Sequence, residues 1–471
     1  MKLTLIGHDD RYAVEQLQMT LFSADAQGEA VSSLYRGKKW LTAVTKIKLN
    51  NQTVSGVKRM LAEKETVRLR RRLLQQCYYQ AAVQLLPQVP AWGALAGVRP
   101  TKISTKHLLE GGTPKSAEKL LGQIYYVTPE RSKLAVDCSV STVSAVEKLQ
   151  PQDISLYVGI PFCPTTCLYC SFTSYPIAGY RKLVEDYVDC VIKEMEYVSE
   201  IYKDKILDSV YIGGGTPTTL EAHQLDRLIG RLKEVFDFST VKEFTVEAGR
   251  ADSITREKLE VLKKHEVGRI SINPQTMKQE TLQIIGRRHT VEQVIEAYKL
   301  AREIGFDNIN MDLILGLPDE MEEDVANTIE KVVELAPDSL TVHSLAIKRA
   351  SKLSQWITEH DIKTLRNTDK TMEIAAEGAK RLNMQPYYLY RQKNMSGNFE
   401  NVGYAKEGKY GLYNILIMEE KQTIVALGAG SITKRVFPDG RIERCDNVKD
   451  VALYIEKIDE MIERKRVLLG E

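Results

Sequence analysis

From residue 154 onwards, short apolar runs alternate with longer stretches in which apolar residues recur every three or four positions. Strand followed by amphipathic helix, repeated, predicts an α/β fold with a parallel sheet built by right-handed crossovers. Strands are expected at 155–159, 209–213, 243–248, 269–273, 310–315 and 339–345, with helices that include 180–202, 220–236 and 321–335. Six such units make an open, partial (β/α)6 TIM-like barrel instead of the closed eight, and leave one side to be covered by other parts of the chain. Functional residues of such a barrel belong at the C-terminal ends of its strands.

The residues ahead of the barrel follow another pattern. Strand character at the start is followed by a hairpin of 40–48 and 52–57 around Asn50-Asn51. A long helix comes next, with Leu61, Val67, Leu73, Leu74, Cys77, Ala81 and Leu85 as its apolar positions and Pro87 and Pro90 as its stop. A rigid loop, 97–102, carries Arg99 and Lys102, and Pro114 and Pro129 suit the first turns of two further helices. These elements predict an α+β domain at 1–150 ahead of a barrel at 151–349. Beyond it, a helix at 369–382, an aromatic run from Pro386 to Arg391, and segments 400–404 and 426–431 predict a C-terminal α/β extension, 350–471, that returns over the barrel mouth to cover a substrate.

Composition adds class and charge. With 471 residues, 43% hydrophobic and 27% charged, the chain exceeds one ordinary core, so two or three globular domains are expected. No run has the apolar length of a signal peptide or membrane span, which predicts a cytoplasmic protein. The net charge of +2 hides an asymmetry: residues 1–150 hold 22 Lys+Arg against 12 Asp+Glu, and the rest hold 43 against 51. A basic front, with Arg68, Arg70, Arg71 and Arg72 on one helix, attracts an acidic electron carrier, a polycarboxylate or nucleic acid, or is simply a solvated helix face. Nucleic acid is the least supported, since no aromatic-rich motif accompanies the arginines.

The chemistry concentrates where the first barrel strand breaks at Pro161. Cys163, Cys167 and Cys170 follow in a C-x3-C-x2-C arrangement, which brings three thiolates close enough to hold three irons of a cubane while the fourth keeps an open position. A structural zinc normally takes four protein ligands, and no fourth Cys or His follows closely. Cys77, Cys138, Cys190 and Cys445 show no pairing logic and read as reduced thiols. One strand later, Gly213-Gly214-Gly215-Thr216-Pro217 lets backbone approach a ligand, or is a tight turn before a proline. It has neither the G-x-G-x-x-G nor the G-K-[ST] of nucleotide loops.

Glu247 and Gln275 end or follow strands, and Asp312 lies inside an apolar one, where an unpaired carboxylate is costly and calls for a ligand hydroxyl or a cation. Arg287 is the expected cation, with Arg288 as competitor. His289 and His343 carry no ligand spacing and read as structural or substrate contacts. Tyr387, Tyr388 and Tyr390 beside Arg391 suit a flat anionic ring, or an ordinary core edge.

The cysteine loop resembles the signature of the radical S-adenosylmethionine (SAM) superfamily, whose cluster binds SAM at the open iron and cleaves it to a deoxyadenosyl radical. Across roughly 151–435 the chain resembles the oxygen-independent coproporphyrinogen III dehydrogenase group, nearest its HemZ-type variant and related to the HemW-type haem chaperones. The resemblance implies a [4Fe-4S] cluster on Cys163, Cys167 and Cys170. It implies SAM sites lined by Tyr157, Tyr169, Gly214, Gly215, Thr216, Glu247, Gln275, Arg287, Asp312 and Ala346, with two SAM molecules in the best-known members. It also implies oxidative decarboxylation of two propionates of coproporphyrinogen III to vinyls.

Four positions depart from the group's pattern. Gly159 stands where a His is typical, and Phe172 stands where proven dehydrogenases have a further cysteine, as in the chaperone branch. Glu400 stands where that branch has a candidate haem-binding His, leaving Tyr404 or His343 as axial ligands for a carrier. The basic domain replaces a short arginine-bearing arm. A tetrapyrrole dehydrogenase is the first reading, a SAM-dependent haem carrier the second and an RNA-modifying enzyme the third. For the first, Arg99, Lys102, Arg349 and Arg391 are candidates to hold propionates, and a flavodoxin- or ferredoxin-type donor to dock on Arg70, Arg71 and Arg72.

Overall fold

The computed structural model describes residues 1–23, 26–347, 351–359, 365–392 and 399–470, without the side chains of 354 and 358. The chain forms two compact units, Met1–Val140 with Leu389–Asn394, and Ser141–Tyr388 with Met395–Glu471.

The first unit is built on a four-stranded sheet, Lys2–Ile6, Gly28–Arg36, Trp40–Leu49 and Gln52–Leu61, paired in sequence order. The first pair is parallel, because helix Arg11–Leu21 carries the chain across, and the others are antiparallel. Asn50 and Asn51 both take positive φ, 47° and 63°, as the tight hairpin turn demands. The long helix runs Val67–Ala82 and starts where the Thr66 hydroxyl accepts from the Leu69 amide. Leu61, expected in that helix, instead pairs with Trp40 at the end of a strand. The helix buries Leu73, Leu74, Cys77 and Tyr78 against Leu41, Ala43 and Ile47 of the sheet.

Its arginines are partly committed. Arg70 and Arg71 both bond the buried carboxylate of Asp10, at 2.6 and 2.9 Å, and Arg70 also reaches Glu65 at 3.3 Å. That pairing uses charge expected to steer a partner. Helices Thr101–Leu109, Pro114–Tyr125 and Pro129–Val146 follow, the second opened by a reciprocal cap between Thr113 and Ser116.

In the second unit the six expected strands appear as Asp153–Ile160, Ile206–Gly214, Glu243–Gly249, Arg269–Ile272, Ile309–Leu315 and Ser339–Ser344. They lie side by side in that order, all parallel. Helices Val184–Ile201, Ala222–Val235, Arg256–Lys264, Val291–Ile304 and Glu322–Leu335 lie between consecutive strands. The strands are buried almost throughout, which is why they read as apolar runs.

The two C-terminal segments expected over the mouth join the sheet as strands. Asn401–Ala405 pairs antiparallel with the sixth strand, and Thr423–Leu427 pairs parallel with the first. Open sheet edges leave amides and carbonyls unpaired, and adding a strand at each edge satisfies them. Ile432–Val436 and Ile442–Asp446 extend the sheet further. Among the described residues no helix is long and apolar enough to cross a membrane.

A buried ion pair ties the outer helices to this arrangement. Lys465 of helix Ile458–Leu469 meets Glu194 of helix Val184–Ile201 at 2.5 Å, both side chains almost wholly buried. Glu194 also accepts from the Tyr454 hydroxyl, the Asn447 amide and the Gly428 backbone amide. Removing one member of a buried pair strands the other charge. Lys465→Met is therefore expected to destabilise the fold by about 3 kcal/mol, read as a lower midpoint in denaturant, with part of the loss recovered when Glu194→Gln is added.

Candidate functional site

The cysteine loop leaves the first barrel strand at Ile160 and is held by the exit of the second. The Gly215 amide donates to the Ile160 carbonyl at 2.8 Å and the Thr216 amide to the Phe162 carbonyl at 2.7 Å. A side chain at Gly215 would put its Cβ 2.5 Å from the Phe162 carbonyl oxygen, and Gly214 sits at φ +110°, so this seam requires glycine. Two of the run's amides thus serve the loop. Farther along, the Leu168 amide donates to the Ile285 carbonyl at 3.0 Å and the Thr165 hydroxyl to the Gly286 carbonyl at 2.8 Å.

Cys163 and Cys167 are nearly buried and Cys170 is more open. The Cys163 sulfur lies 3.5 Å from the Thr216 hydroxyl. Burial, together with the nearby Cys167 and Cys170, pushes its thiol up to about 11. A thiolate in this place therefore needs a strong positive partner, which is what an iron cluster supplies as it displaces the protons. Among the described residues no three His, Cys, Asp or Glu side chains converge as ligands of one metal ion would. A cubane asks for less convergence, since each thiolate takes its own iron.

Beside the loop, Arg287 donates to the Asn273 carbonyl at 2.6 Å and the Tyr169 hydroxyl at 3.4 Å, and it also interacts with the Cys167 sulfur. Arg288 points outward and is exposed. The expected pairing of Arg287 with Asp312 is not formed. Asp312 instead accepts from the Asn310 side-chain amide at 2.7 Å and faces His343 Nε2 at 3.9 Å. Burial opposes its ionisation, but His343, Asn310 and Thr341 outweigh that and hold its carboxyl below the ordinary value. The strand interior was satisfied locally, so no distant arginine was needed.

Gln275 follows the fourth strand in the left-handed region at φ +67°, strained for a side chain of its size. Its amide donates to the Asp312 carbonyl and its carbonyl accepts from the Ile314 amide, both at 2.9 Å, so the fifth strand clamps it. Its Oε1, the Ser271 hydroxyl and Asn273 Oδ1 are buried with no hydrogen-bond partner among the described residues. Buried polar atoms left open along one strand end fit a polar ligand such as SAM. Ala346, nearly buried, follows the sixth strand just after Leu345, whose amide donates to the Leu315 carbonyl at 2.9 Å.

Glu247 closes the other side. It accepts from the Tyr211 hydroxyl at 2.5 Å and the Gly214 amide at 3.3 Å. Tyr157, Tyr211 and Tyr413 stack on one another, with ring centroids 4.6 to 6.3 Å apart, behind this carboxyl. Tyr413 belongs to helix Leu412–Glu419, whose first amides donate to the buried Glu243. Neither Tyr211 nor Tyr413 carried a motif in the sequence. Arg250 and Asp252, next to the loop, were also missed, although residues just past a strand end are where a barrel places its chemistry.

The proposed propionate cations divide between the first unit and positions outside the described residues. Arg99, Lys102 and Arg391 belong to the first unit, where Arg391 donates to the Leu95 carbonyl at 2.7 Å and lies over the Trp92 ring. Arg349 lies outside the described residues. Glu400 is buried, with its carbonyl accepting from the Ser344 hydroxyl at 2.8 Å.

Glu247 gives a pH-dependent signature. Burial, with the charge of Asp312 added, raises its carboxyl from 4.5 to about 7 against the bonds from Tyr211 and Gly214. The fold prefers this group protonated, so the associated stability is full below 4.5 and lost as pH rises through about 7. Ligand-free wild type is expected to lose thermal stability relative to Glu247→Gln between about pH 5 and about pH 8, measured as the difference in Tm.

Residues 157–332 match the model of the radical SAM superfamily, a span that holds the cysteine loop, the glycine run, Glu247, Gln275 and Asp312. The chain is 42% identical over 380 residues to the oxygen-independent coproporphyrinogen-III oxidase-like protein HemZ of Bacillus subtilis, covering 79% of this chain and 76% of that one. It is 32% identical over 278 residues to the heme chaperone HemW of Lactococcus lactis, covering 59% and 68%. The solved coproporphyrinogen III oxidase HemN of Escherichia coli superposes with a TM-score of 0.53 at 23% identity, covering 68% and 72%, and so shares the fold. Three cysteines on one loop pinned to the sheet, an open polar strand end and these matches lead to one conclusion: the chain belongs to the radical SAM superfamily, with its [4Fe-4S] cluster and SAM, and within it to the oxygen-independent coproporphyrinogen-III oxidase-like family.

Proposed function

We propose that this chain is an oxidoreductase of anaerobic haem biosynthesis that decarboxylates coproporphyrinogen III to protoporphyrinogen IX. When bound, the cluster and SAM would supply a radical able to take a hydrogen atom from the ring-attached carbon of each propionate, so that loss of carbon dioxide from the neighbouring carbon and of one electron to an acceptor leaves a vinyl group. Cys163, Cys167 and Cys170 hold the cluster in this reading. Glu247 and Asp312 accept hydrogen bonds from SAM's amine and hydroxyls, and the Gln275 side chain, fixed by its clamped backbone, supplies the open Oε1. Tyr157, Tyr169, Gly214, Gly215, Thr216, Arg287 and Ala346 line the same mouth. A flavodoxin- or ferredoxin-type donor delivers electrons, and the basic excess of residues 1–150 supports an acidic partner.

The observation that carries the reading is Glu400. Where the carrier branch offers a haem-binding His, this chain has a carboxylate that is 1% exposed beneath the sixth strand. A carrier must grip iron porphyrin through an axial His, Cys, Met or Tyr, whereas a dehydrogenase needs none. The carrier reading is favoured by Phe172, 72% exposed just past the cysteine trio, which offers an apolar surface where proven dehydrogenases have a cysteine.

The reconstituted, reduced protein is expected to consume SAM and release carbon dioxide from coproporphyrinogen III, followed by mass spectrometry of the porphyrin. Asp312→Asn and Gln275→Ala are expected to slow this about a hundredfold while iron content stays at the wild-type level. Stoichiometric haem binding with SAM cleavage and no carbon dioxide would assign the carrier role instead.

A further inference from the structure

A buried charged group sits against the cysteine loop and has no part in the chemistry described so far. Arg250 directly follows the third barrel strand, Glu243–Gly249, and is 2% exposed. Its Nη1 donates to the carbonyl and hydroxyl of Thr165 at 3.0 and 2.9 Å and reaches the Cys167 sulfur at 3.7 Å. The other edge of the guanidinium is gripped by Asp252, with Nε to Oδ1 at 2.9 Å and Nη2 to Oδ2 at 2.6 Å. Asp252 faces His289 Nδ1 at 3.7 Å on its far side.

The orientation is specific. A fork-to-fork pair with a carboxylate fixes the plane of a guanidinium, which leaves its remaining edge aimed in one direction. Here that edge meets the middle cysteine and the loop residue two positions before it. Loop architecture alone would be served by the two bonds to Thr165. The approach to sulfur adds something else, because hydrogen bonds to the sulfurs and nearby charge set the reduction potential of an iron–sulfur centre. In a buried setting a cation beside a ligand sulfur favours the electron-rich form.

We infer that Arg250, oriented by Asp252, is a positioning residue that raises the reduction potential of the cluster on Cys167. The inference rests on the assignment of the cysteine trio and is the same for a porphyrinogen or a haem substrate. The step affected is transfer of one electron from the reduced donor to the cluster. No bond to Arg250 forms or breaks, and its protons stay in place. Arg287 touches the same sulfur from the strand-four side, so two cations share Cys167, and only Arg250 carries its own carboxylate counterweight.

That counterweight makes the test two-signed. The full-length wild type, Arg250→Gln, Arg250→Lys and Asp252→Asn would be reconstituted anaerobically with iron and sulfide, assayed for iron, and titrated by potential with the reduced cluster read by electron paramagnetic resonance. Arg250→Gln is expected to shift the midpoint to more negative potential and Arg250→Lys to recover part of the shift. Asp252→Asn, which leaves the guanidinium uncompensated, is expected to shift it to more positive potential. Simple loosening of the loop would move Arg250→Gln and Asp252→Asn in the same direction, and that result overturns the inference. So does a wild-type midpoint in an iron-replete Arg250→Gln. Should Arg250→Gln lose its iron, Asp252→Asn decides, and an unmoved or lowered midpoint overturns the proposal. A wild-type chain that takes up no iron would overturn the trio's assignment itself.

Discussion

The site depends on one backbone seam. Two amides of the glycine run donate to the carbonyls that flank Pro161, and at Gly215 the contact is too close for any side chain. Neighbouring parallel strands already run in register up to Ile160 and Gly214, so the seam continues their ladder into the loops that leave them. The cysteine loop is therefore held by the sheet it grows from, and its precision is that of the sheet. Loops fastened at both ends to a rigid scaffold are where binding chemistry can be held to fractions of an ångström.

Everything else at the mouth follows from strand order. Six parallel strands bring the ends carrying Cys163, Gly214, Glu247, Gln275, Asp312 and Ala346 to one side, although nearly two hundred residues separate the first from the last. The same topology leaves two edges exposed, and the C-terminal segments pair with them. Burial at the mouth then sorts the acids. Glu247, on which burial prevails, titrates near neutrality, while Asp312, supported by His343 and Asn310, stays ionised. Two carboxyls that both accept hydrogen bonds at the mouth thus differ in how readily they ionise.

The barrel was legible because parallel strands buried on both faces leave an unmistakable alternation of apolar runs and amphipathic helices. The cysteine loop was legible from spacing alone. What the sequence hid were pairings between distant segments. The partner of Asp312 turned out to be Asn310, two residues away on the same strand, with His343 opposite; a carboxylate that finds neighbours so close gives no outward sign of it. The pairing of the segments around Val402 and Ala426 with the two sheet edges was hidden too, because only hydrogen-bond demand at an edge reveals it. Arg250 and Asp252 were overlooked because neither has a motif: their meaning comes from a contact with a loop more than eighty residues earlier. The arginines of the first unit hid a pairing as well, since a helix face rich in Arg conceals the buried Asp10 that Arg70 and Arg71 serve.

The central claim is that Cys163, Cys167 and Cys170 hold a cluster whose open iron faces the polar strand ends. The most direct measurement is iron and sulfide analysis with electron paramagnetic resonance of the anaerobically reconstituted, reduced chain, with and without SAM. About four irons and four sulfides per chain, a spectrum altered by SAM, and no bound iron in the triple Cys→Ala variant are expected. Iron retained by that variant, or a cluster spectrum indifferent to SAM, would contradict the account.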